Sequence, residues 1–419
     1  MAQAILPVGL SEAKLYRRDN PPRPQTRLSV PRTSCFGKLV GKHADLKSCL
    51  PIQYQPRNQI RMDPILDLSG KRLLLIKPSS LGDVVHAVAT AWALKERWPT
   101  LHLSWLVNRG LESILSPISC IDETVPFDRN RFKGVLGPVS KQGDLRSFTR
   151  TLRDGKYDAV LDLQGLFRSG LFSWLTRAPV RVGDRKAREC STVFYTNKVS
   201  TPPQPVHARE RYAALAAELG AEPAKREDLD VRDTERAVVR EMLREGGYGE
   251  GPLVAVCPGA RWETKIYPAK QFASVLDELA DTSGVQQPVL VGGPDLETAA
   301  QEIIENCEKA KPVNLTGKTS LRELTSLLDI ADLMLTCDSG PMHIAAAQGT
   351  PTLAIFGPTD PRRTGAYGQL DNVVRGECEL MPCLKRRCPG LGMQCMHSLT
   401  PGGVAEKSLA LLRQTADNS

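Results

Sequence analysis

The stretch from Leu333 to Phe356 leaves the chain few ways to fold. An apolar run, Leu333-Met334-Leu335, leads into Cys337-Asp338-Ser339-Gly340-Pro341-Met342-His343. A small-residue segment then ends at Gly349, and Thr352 to Phe356 is apolar again. This order reads as strand, tight turn, short helix, turn and buried strand. Pro341 suits the first helical position, because its φ is already helical and its missing N–H would have had no partner there. Gly340 is then the expected cap and Gly349 the expected stop. Unpaired first-turn amides and the helix dipole favour an anion by about 0.3–1 kcal/mol, so this turn offers a phosphate site ringed by Asp338, Ser339 and His343. Taken alone, the same residues would serve equally as a helix cap and a core histidine.

The pattern recurs. Leu73 to Ile76, Leu101 to Val107, Tyr157 to Leu163, Leu253 to Val256, Val289 to Val291 and Leu333 to Leu335 are apolar runs separated by amphipathic or mixed stretches, as in parallel sheets covered by helices. A helix is expected from Val84 to about Arg97, with Val84, Val85, Val88, Ala91 and Trp92 on one face. Thr201-Pro202-Pro203-Gln204-Pro205 and the glycine cluster from Gly246 to Gly251 interrupt the run, which divides it into two βαβ halves. The expected organisation is residues 1–61, a first Rossmann-like domain over 62–230 and a second over 231–419. In open α/β sheets, ligands collect at the carboxyl ends of the strands. The turns of interest are therefore Ser79 to Asp83, Gln164 to Ser169, Pro258 to Lys265, Gly292 to Asp295 and Asp338 to His343. No such turn has G-x-G-x-x-G spacing, which argues against a dinucleotide-dependent oxidoreductase.

The net charge of +8 has a local origin. Residues 1–61 hold 11 Lys and Arg against three Asp and Glu, and the remaining residues balance at 44 against 44. That first segment carries seven prolines and no periodic apolar face, so it is expected to be disordered, with a translation start at Met62 or a basic lipid- or nucleic-acid-binding arm as alternatives. The balanced remainder gives no reason to expect nucleic acid as a partner. No apolar run reaches the ~18–20 residues of a membrane span, and the odd number of cysteines, 11, points to a reducing cytoplasm.

Ser79-Ser80-Leu81-Gly82-Asp83-Val84-Val85-His86, Asp162-Leu163-Gln164-Gly165-Leu166-Phe167-Arg168-Ser169, Pro258-Gly259-Ala260-Arg261-Trp262-x-x-Lys265-x-Tyr267-Pro268 and Asp338-Ser339-Gly340-Pro341-Met342-His343 with Phe356-Gly357-Pro358-Thr359-Asp360 resemble the successive motifs of glycosyltransferase family 9, whose best-known members are ADP-heptose:lipopolysaccharide heptosyltransferases. The resemblance runs in collinear order from about Leu73 to the end. It implies a GT-B architecture, with two Rossmann-like doubly wound domains facing a cleft, the first binding the sugar acceptor and the second the nucleotide sugar. It also implies an inverting, metal-independent transfer with no cofactor beyond the donor, which the resemblance gives as ADP-heptose.

On this resemblance Asp83 is the expected general base, a role worth about 10²–10⁴ in rate. The competing structural role is a first-turn acid at the helix start, where Asn would substitute at a cost of about 1 kcal/mol or less. Lys265 matches a donor-site lysine that stabilises the departing diphosphate, with pairing to Glu263 as the structural alternative. Gly259, Ala260, Arg261, Thr319, Asp338, Ser339, Gly340 and His343 complete the expected donor site, with Asp295 or Glu297 as further candidates for the ribose or base. Lys265 and His343 are both expected to line the cleft, so that replacing either leaves stability unchanged. Ser80, Gly82, Gln164, Arg168 and Arg188 are expected on the acceptor side. Arg168, Arg181, Arg185, Lys186 and Arg188 form a basic group suited to phosphates or sugar acids.

Cys378, Cys383, Cys388 and Cys395, with His397, lack the C-x₂-C pairs of zinc ribbons, and no metal is expected. The implied partners are a nucleotide sugar, an anionic lipid-linked oligosaccharide and, transiently, the inner face of the cytoplasmic membrane, met by a monomer peripheral to it. Two other readings compete: a GT-B-shaped sugar-nucleotide epimerase, and a non-catalytic protein binding nucleotide sugars or nucleic acid.

Overall fold

A computed structural model describes residues 66–128, 140–203, 205–390 and 392–418. The expected disorder of residues 1–61 lies outside the described residues. Among the described residues twelve strands form two six-stranded sheets within one compact unit. The first sheet contains β1 (Arg72–Ile76), β2 (His102–Asn108), β3 (Glu123–Phe127), β4 (Ala159–Asp162), β5 (Val180–Asp184) and β6 (Asn197–Val199). The second contains β7 (Val254–Cys257), β8 (Val289–Leu290), β9 (Val313–Asn314), β10 (Leu333–Cys337), β11 (Thr352–Phe356) and β12 (Val373–Arg375).

Every strand pair is parallel, and the orders are β3-β2-β1-β4-β5-β6 and β12-β11-β10-β7-β8-β9. Counted within each half, both are the doubly wound order 3-2-1-4-5-6, in which the winding direction reverses between the first and fourth strands. Those switch points fall between β1 and β4 and between β7 and β10. The central strands are buried on both faces, which explains their continuous apolar runs; Leu73 to Ile76, Val254 to Val256 and Leu333 to Leu335 are fully covered. One buried cluster extends from Leu73 and Val88 in the first half to Ala255 and Met334 in the second, so a shared core holds the halves together.

Two helix starts differ from expectation. The first helix runs Leu81–Arg97, three residues earlier than its apolar face indicated, because Ser80 caps it. The helix after β10 runs Gly340–Ala347 with Ser339, not Gly340, as its cap. Gly349 ends that helix at φ +81°, a left-handed conformation that glycine adopts without strain.

Candidate active site

The two switch points converge on one place. The Leu81–Arg97 and Gly340–Ala347 helices, one from each half, pack together at their N-terminal ends. A Cβ on Gly82 would lie 2.2 Å from the His343 ring, and one on Gly340 would lie 2.6 Å from Leu81. Glycine at both places permits this approach, and it brings Asp83 from one half and Asp338 from the other within electrostatic reach of the His343 ring.

On the first side, Asp83 is the third residue of its helix. Its Oδ2 accepts from the Ser80 N–H at 3.2 Å and the Ser80 hydroxyl at 2.9 Å, and its Oδ1 accepts from the Tyr212 hydroxyl at 2.9 Å. Lys77, directly after β1, places Nζ 3.7 Å from Oδ1; the lysine side chain is 4% exposed and that of Asp83 37%. Burial alone would raise the Asp83 carboxyl, but Lys77, Ser80 and Tyr212 outweigh it and hold the group below the usual carboxylate range. Burial conversely lowers the Lys77 ammonium, against the pull of Asp83 and Asp162. Asp83 is thus a helix-start acid and also a partly open carboxylate at a switch point. Neither Lys77 nor Tyr212 was among the expected site residues. Lys77 left a signal, a charge ending an apolar strand, whereas Tyr212 comes from the Ala208–Ala217 helix and left none.

Asp162 ends β4 and builds the next turn. Its carboxylate accepts from the amides of Gln164 and Gly165 at 2.9 and 3.2 Å and from the Tyr195 hydroxyl at 2.7 Å, and burial raises it. Gln164 keeps a buried Oε1 without a hydrogen-bond partner. The Arg188 N–H donates to the Gly165 carbonyl at 3.0 Å, and Glu189 accepts from the Phe167 N–H at 3.2 Å, so the loop after β5 is tied to this turn. Arg188 and Ser80 are exposed; Arg168 is half-buried, its guanidinium 5.7 Å from the Phe127 ring centroid. The expected basic group does not assemble in full. Arg181 donates to the carbonyls of Phe194 and Ala178 and Arg185 to that of Lys198, so both serve the backbone.

On the second side, Lys265 ends a short helical turn after β7 and pairs with Asp338, not with Glu263, at 2.7 Å. Asp338 Oδ2 also accepts from the Thr359 hydroxyl at 2.6 Å. Two residues expected to meet the donor separately therefore form one largely buried ion pair, and the Lys265 ammonium also stands 4.7 Å from the Trp262 ring centroid. Ser339 caps the following helix, its Oγ 3.2 Å from Thr336 Oγ1. Gly259 is buried where a Cβ would meet Leu296 at 2.1 Å, Ala260 is half-buried, and Arg261 is exposed. Thr319 is half-buried just before Ser320, the cap of the Leu321–Asp329 helix; Asp295 and Glu297 are exposed.

His343 is not an open cleft residue. It is 8% exposed, its ring lies edge-on to His86 with centroids 4.4 Å apart, and His86 meets His207 in the same way at 4.5 Å. Burial lowers all three, His207 to about 4, so they are neutral at pH 7. His207 donates through Nε2 to the Gly365 carbonyl at 3.2 Å and accepts at Nδ1 from the Arg209 N–H, which sets its tautomer. The expectation that replacing His343 leaves stability untouched is therefore corrected: its ring is part of the packing between the halves.

Cys378, Cys383, Cys388 and Cys395 line one cavity with Met381 and Met393, while His397, in the same short helix as Cys395, is exposed and not part of that lining. Among the described residues no three His, Cys, Asp or Glu side chains form a group that could hold a metal ion.

This architecture and these motifs have counterparts among known proteins. Over 315 residues the chain is 28% identical to the lipopolysaccharide core heptosyltransferase OpsX of Haemophilus influenzae, covering 74% of this chain and 86% of the relative. It is 29% identical over 323 residues to lipopolysaccharide heptosyltransferase 1 of Pseudomonas aeruginosa, covering 76% and 87%. The structure of Escherichia coli heptosyltransferase WaaC with ADP superposes with a TM-score of 0.64 at 26% identity, covering 81% of this chain and 99% of that one. Residues 145–393 match glycosyltransferase family 9 (heptosyltransferase), more than half of the sequence, and the chain belongs to that family.

Proposed function

We propose that the protein transfers a heptose from ADP-heptose to the lipopolysaccharide inner core or a related lipid-linked saccharide, with inversion at the anomeric carbon and without a metal or other cofactor. The observation that carries this reading is the meeting of the two helix N-termini, which sets a carboxylate at one switch point against a lysine–aspartate pair at the other. A single displacement needs both. Asp83 takes the proton of the acceptor hydroxyl as its oxygen bonds to the anomeric carbon. The nucleoside diphosphate leaves from the opposite face, carrying the bonding pair. Lys265 and the first-turn amides of the Gly340–Ala347 helix stabilise the charge that appears on the diphosphate. Arg168, Arg188 and Gln164 bind the anionic acceptor.

The ADP and heptose assignment draws on the named relatives, one of which was solved with ADP. Among the described residues no helix is long and apolar enough to cross a membrane. The proposed site of action is the cytoplasmic face of the inner membrane, with the protein a peripheral monomer. The test is nucleoside diphosphate release from ADP-, UDP-, GDP- and dTDP-sugars with and without an inner-core acceptor. Release that requires both ADP-heptose and acceptor, persists in EDTA and yields the inverted anomer is expected. Turnover with a different sugar nucleotide, or a donor epimer formed without acceptor, would refute the assignment.

A further inference from the structure

The helix Phe167–Leu175 faces two ways. Ser169, Gly170, Phe172 and Ser173 are buried against the first sheet, while Phe167 and Trp174 stay 47% and 52% exposed. The short turn Ser191–Phe194 packs on this helix, and Gly170 allows it, because a Cβ there would lie 2.8 Å from the Phe194 ring. Phe194 in turn meets Phe167 at 5.4 Å and Trp174 at 6.5 Å between ring centroids, and Val193 beside it is 70% exposed. Large exposed hydrophobics scattered singly are ordinary; three gathered around one ring are an apolar knob.

The surrounding charge is one-sided. Residues 167–196 contain Arg168, Arg177, Arg181, Arg185, Lys186 and Arg188 against Asp184 and Glu189, in a sequence whose charges sum to zero beyond residue 61. Asp184 is buried and paired with Arg211 at 3.0 Å, while Arg177, Arg185, Lys186 and Arg188 are exposed. Aromatic side chains that settle at the headgroup level, ringed by cations, are the combination an anionic bilayer attracts; each cation near such a surface multiplies partitioning roughly fivefold.

We propose that the knob of Phe167, Trp174, Val193 and Phe194, with its surrounding arginines, is the surface by which the protein sits on an anionic lipid bilayer. This rests on the reading that the acceptor is lipid-linked. It also gives that reading a geometry: the Arg188 N–H ties the basic loop to the Gln164–Gly165 turn, so docking here brings the acceptor half-site to the lipid surface.

The test uses the full chain, sedimented with phosphatidylcholine vesicles and with vesicles containing phosphatidylglycerol. The parent protein should partition onto the anionic vesicles only. Trp174→Ser combined with Val193→Ser should lower that partitioning at least about tenfold, with transfer to a delipidated, soluble acceptor unchanged. Tryptophan emission should shift to the blue on binding and lose that shift in Trp174→Phe, since Trp92, Trp98 and Trp105 are already buried and the half-buried Trp262 lies beside Lys265 in the other half. A double variant that binds like the parent would overturn the proposal and assign membrane contact to another part of the chain, as would a parent that ignores anionic vesicles. Membrane binding without any transfer would instead count against the transferase reading and leave this surface standing.

Discussion

Replacing Asp83 by Asn separates its place at the helix start from its proposed role as the general base. From sequence alone the change looks mild, since Asn caps helices nearly as well as Asp. The structure raises the cost. Lys77 is 4% exposed and Asp83 is its nearest carboxylate partner, at 3.7 Å, so a neutral side chain strands a buried ammonium. An Asn side chain also offers only one oxygen where two now accept from Ser80 and Tyr212. Breaking a fully buried pair costs about 3–5 kcal/mol; with Asp83 37% exposed and Asp162 also acting on Lys77, about 1–3 kcal/mol is expected. Turnover should fall by about 10²–10⁴, because an amide cannot take the acceptor's proton. Stability and chemistry come apart in the double variant Asp83→Asn, Lys77→Met, which removes the stranded charge. Urea unfolding should show most of the lost stability restored, while saturating-substrate assays show turnover as low as in the single variant. If Asp83→Asn turns over within a few-fold of the parent, Asp83 is not the base.

Lys265→Met should weaken donor binding by about 10–100-fold in calorimetric titration with ADP, the range expected for a charge-assisted contact; unchanged affinity would remove Lys265 from the donor site. His343→Ala should destabilise by about 2–3 kcal/mol through the void left beside His86 and Gly82, measured by chemical unfolding. The buried histidines should also make stability pH-dependent. Their folded-state values lie below the ordinary 6.5, His207 at about 4, so between those values the unfolded chain binds protons that the folded chain refuses. Stability should therefore be complete above pH 6.5 and fall as pH drops toward 4, by up to about 1.4 kcal/mol per pH unit per histidine. His207→Gln should flatten that slope in a thermal-unfolding series.

The fold was legible where strands are buried on both faces. β1, β2, β4, β7, β8, β10 and β11 all follow from apolar runs in the sequence. The strands left unread were β3, β5, β6, β9 and β12, and four of these are sheet edges. These edge strands are only partly covered, and Asn197–Val199 and Val373–Arg375 are short as well, so their side chains need not be apolar. Helix starts were misplaced for a related reason. The apolar face of Leu81–Arg97 becomes visible at Val84, whereas the helix is set by a serine and an aspartate three residues apart.

The site was legible only in so far as its parts are local. Ser80 and Asp83, or Asp338, Ser339 and Gly340, are close in sequence, and turn chemistry places them at strand ends. What charges and orients them is not local: Tyr212 reaches Asp83 across 129 residues, and Asp338 reaches Lys265 across 73. No periodicity records such pairs. The same distance explains why cap and base looked like rivals in the sequence. A cap needs only Ser80, which engages Oδ2; the other oxygen receives Tyr212 and Lys77 from outside the turn and keeps part of the carboxylate open. Capping fixes where the carboxylate stands, and the partners on Oδ1 keep it ionised at neutral pH. For the proposed base this means rigid placement and an ionised carboxylate at neutral pH, gained at the cost of some basicity, so the structural role sets the terms of the proposed chemical one.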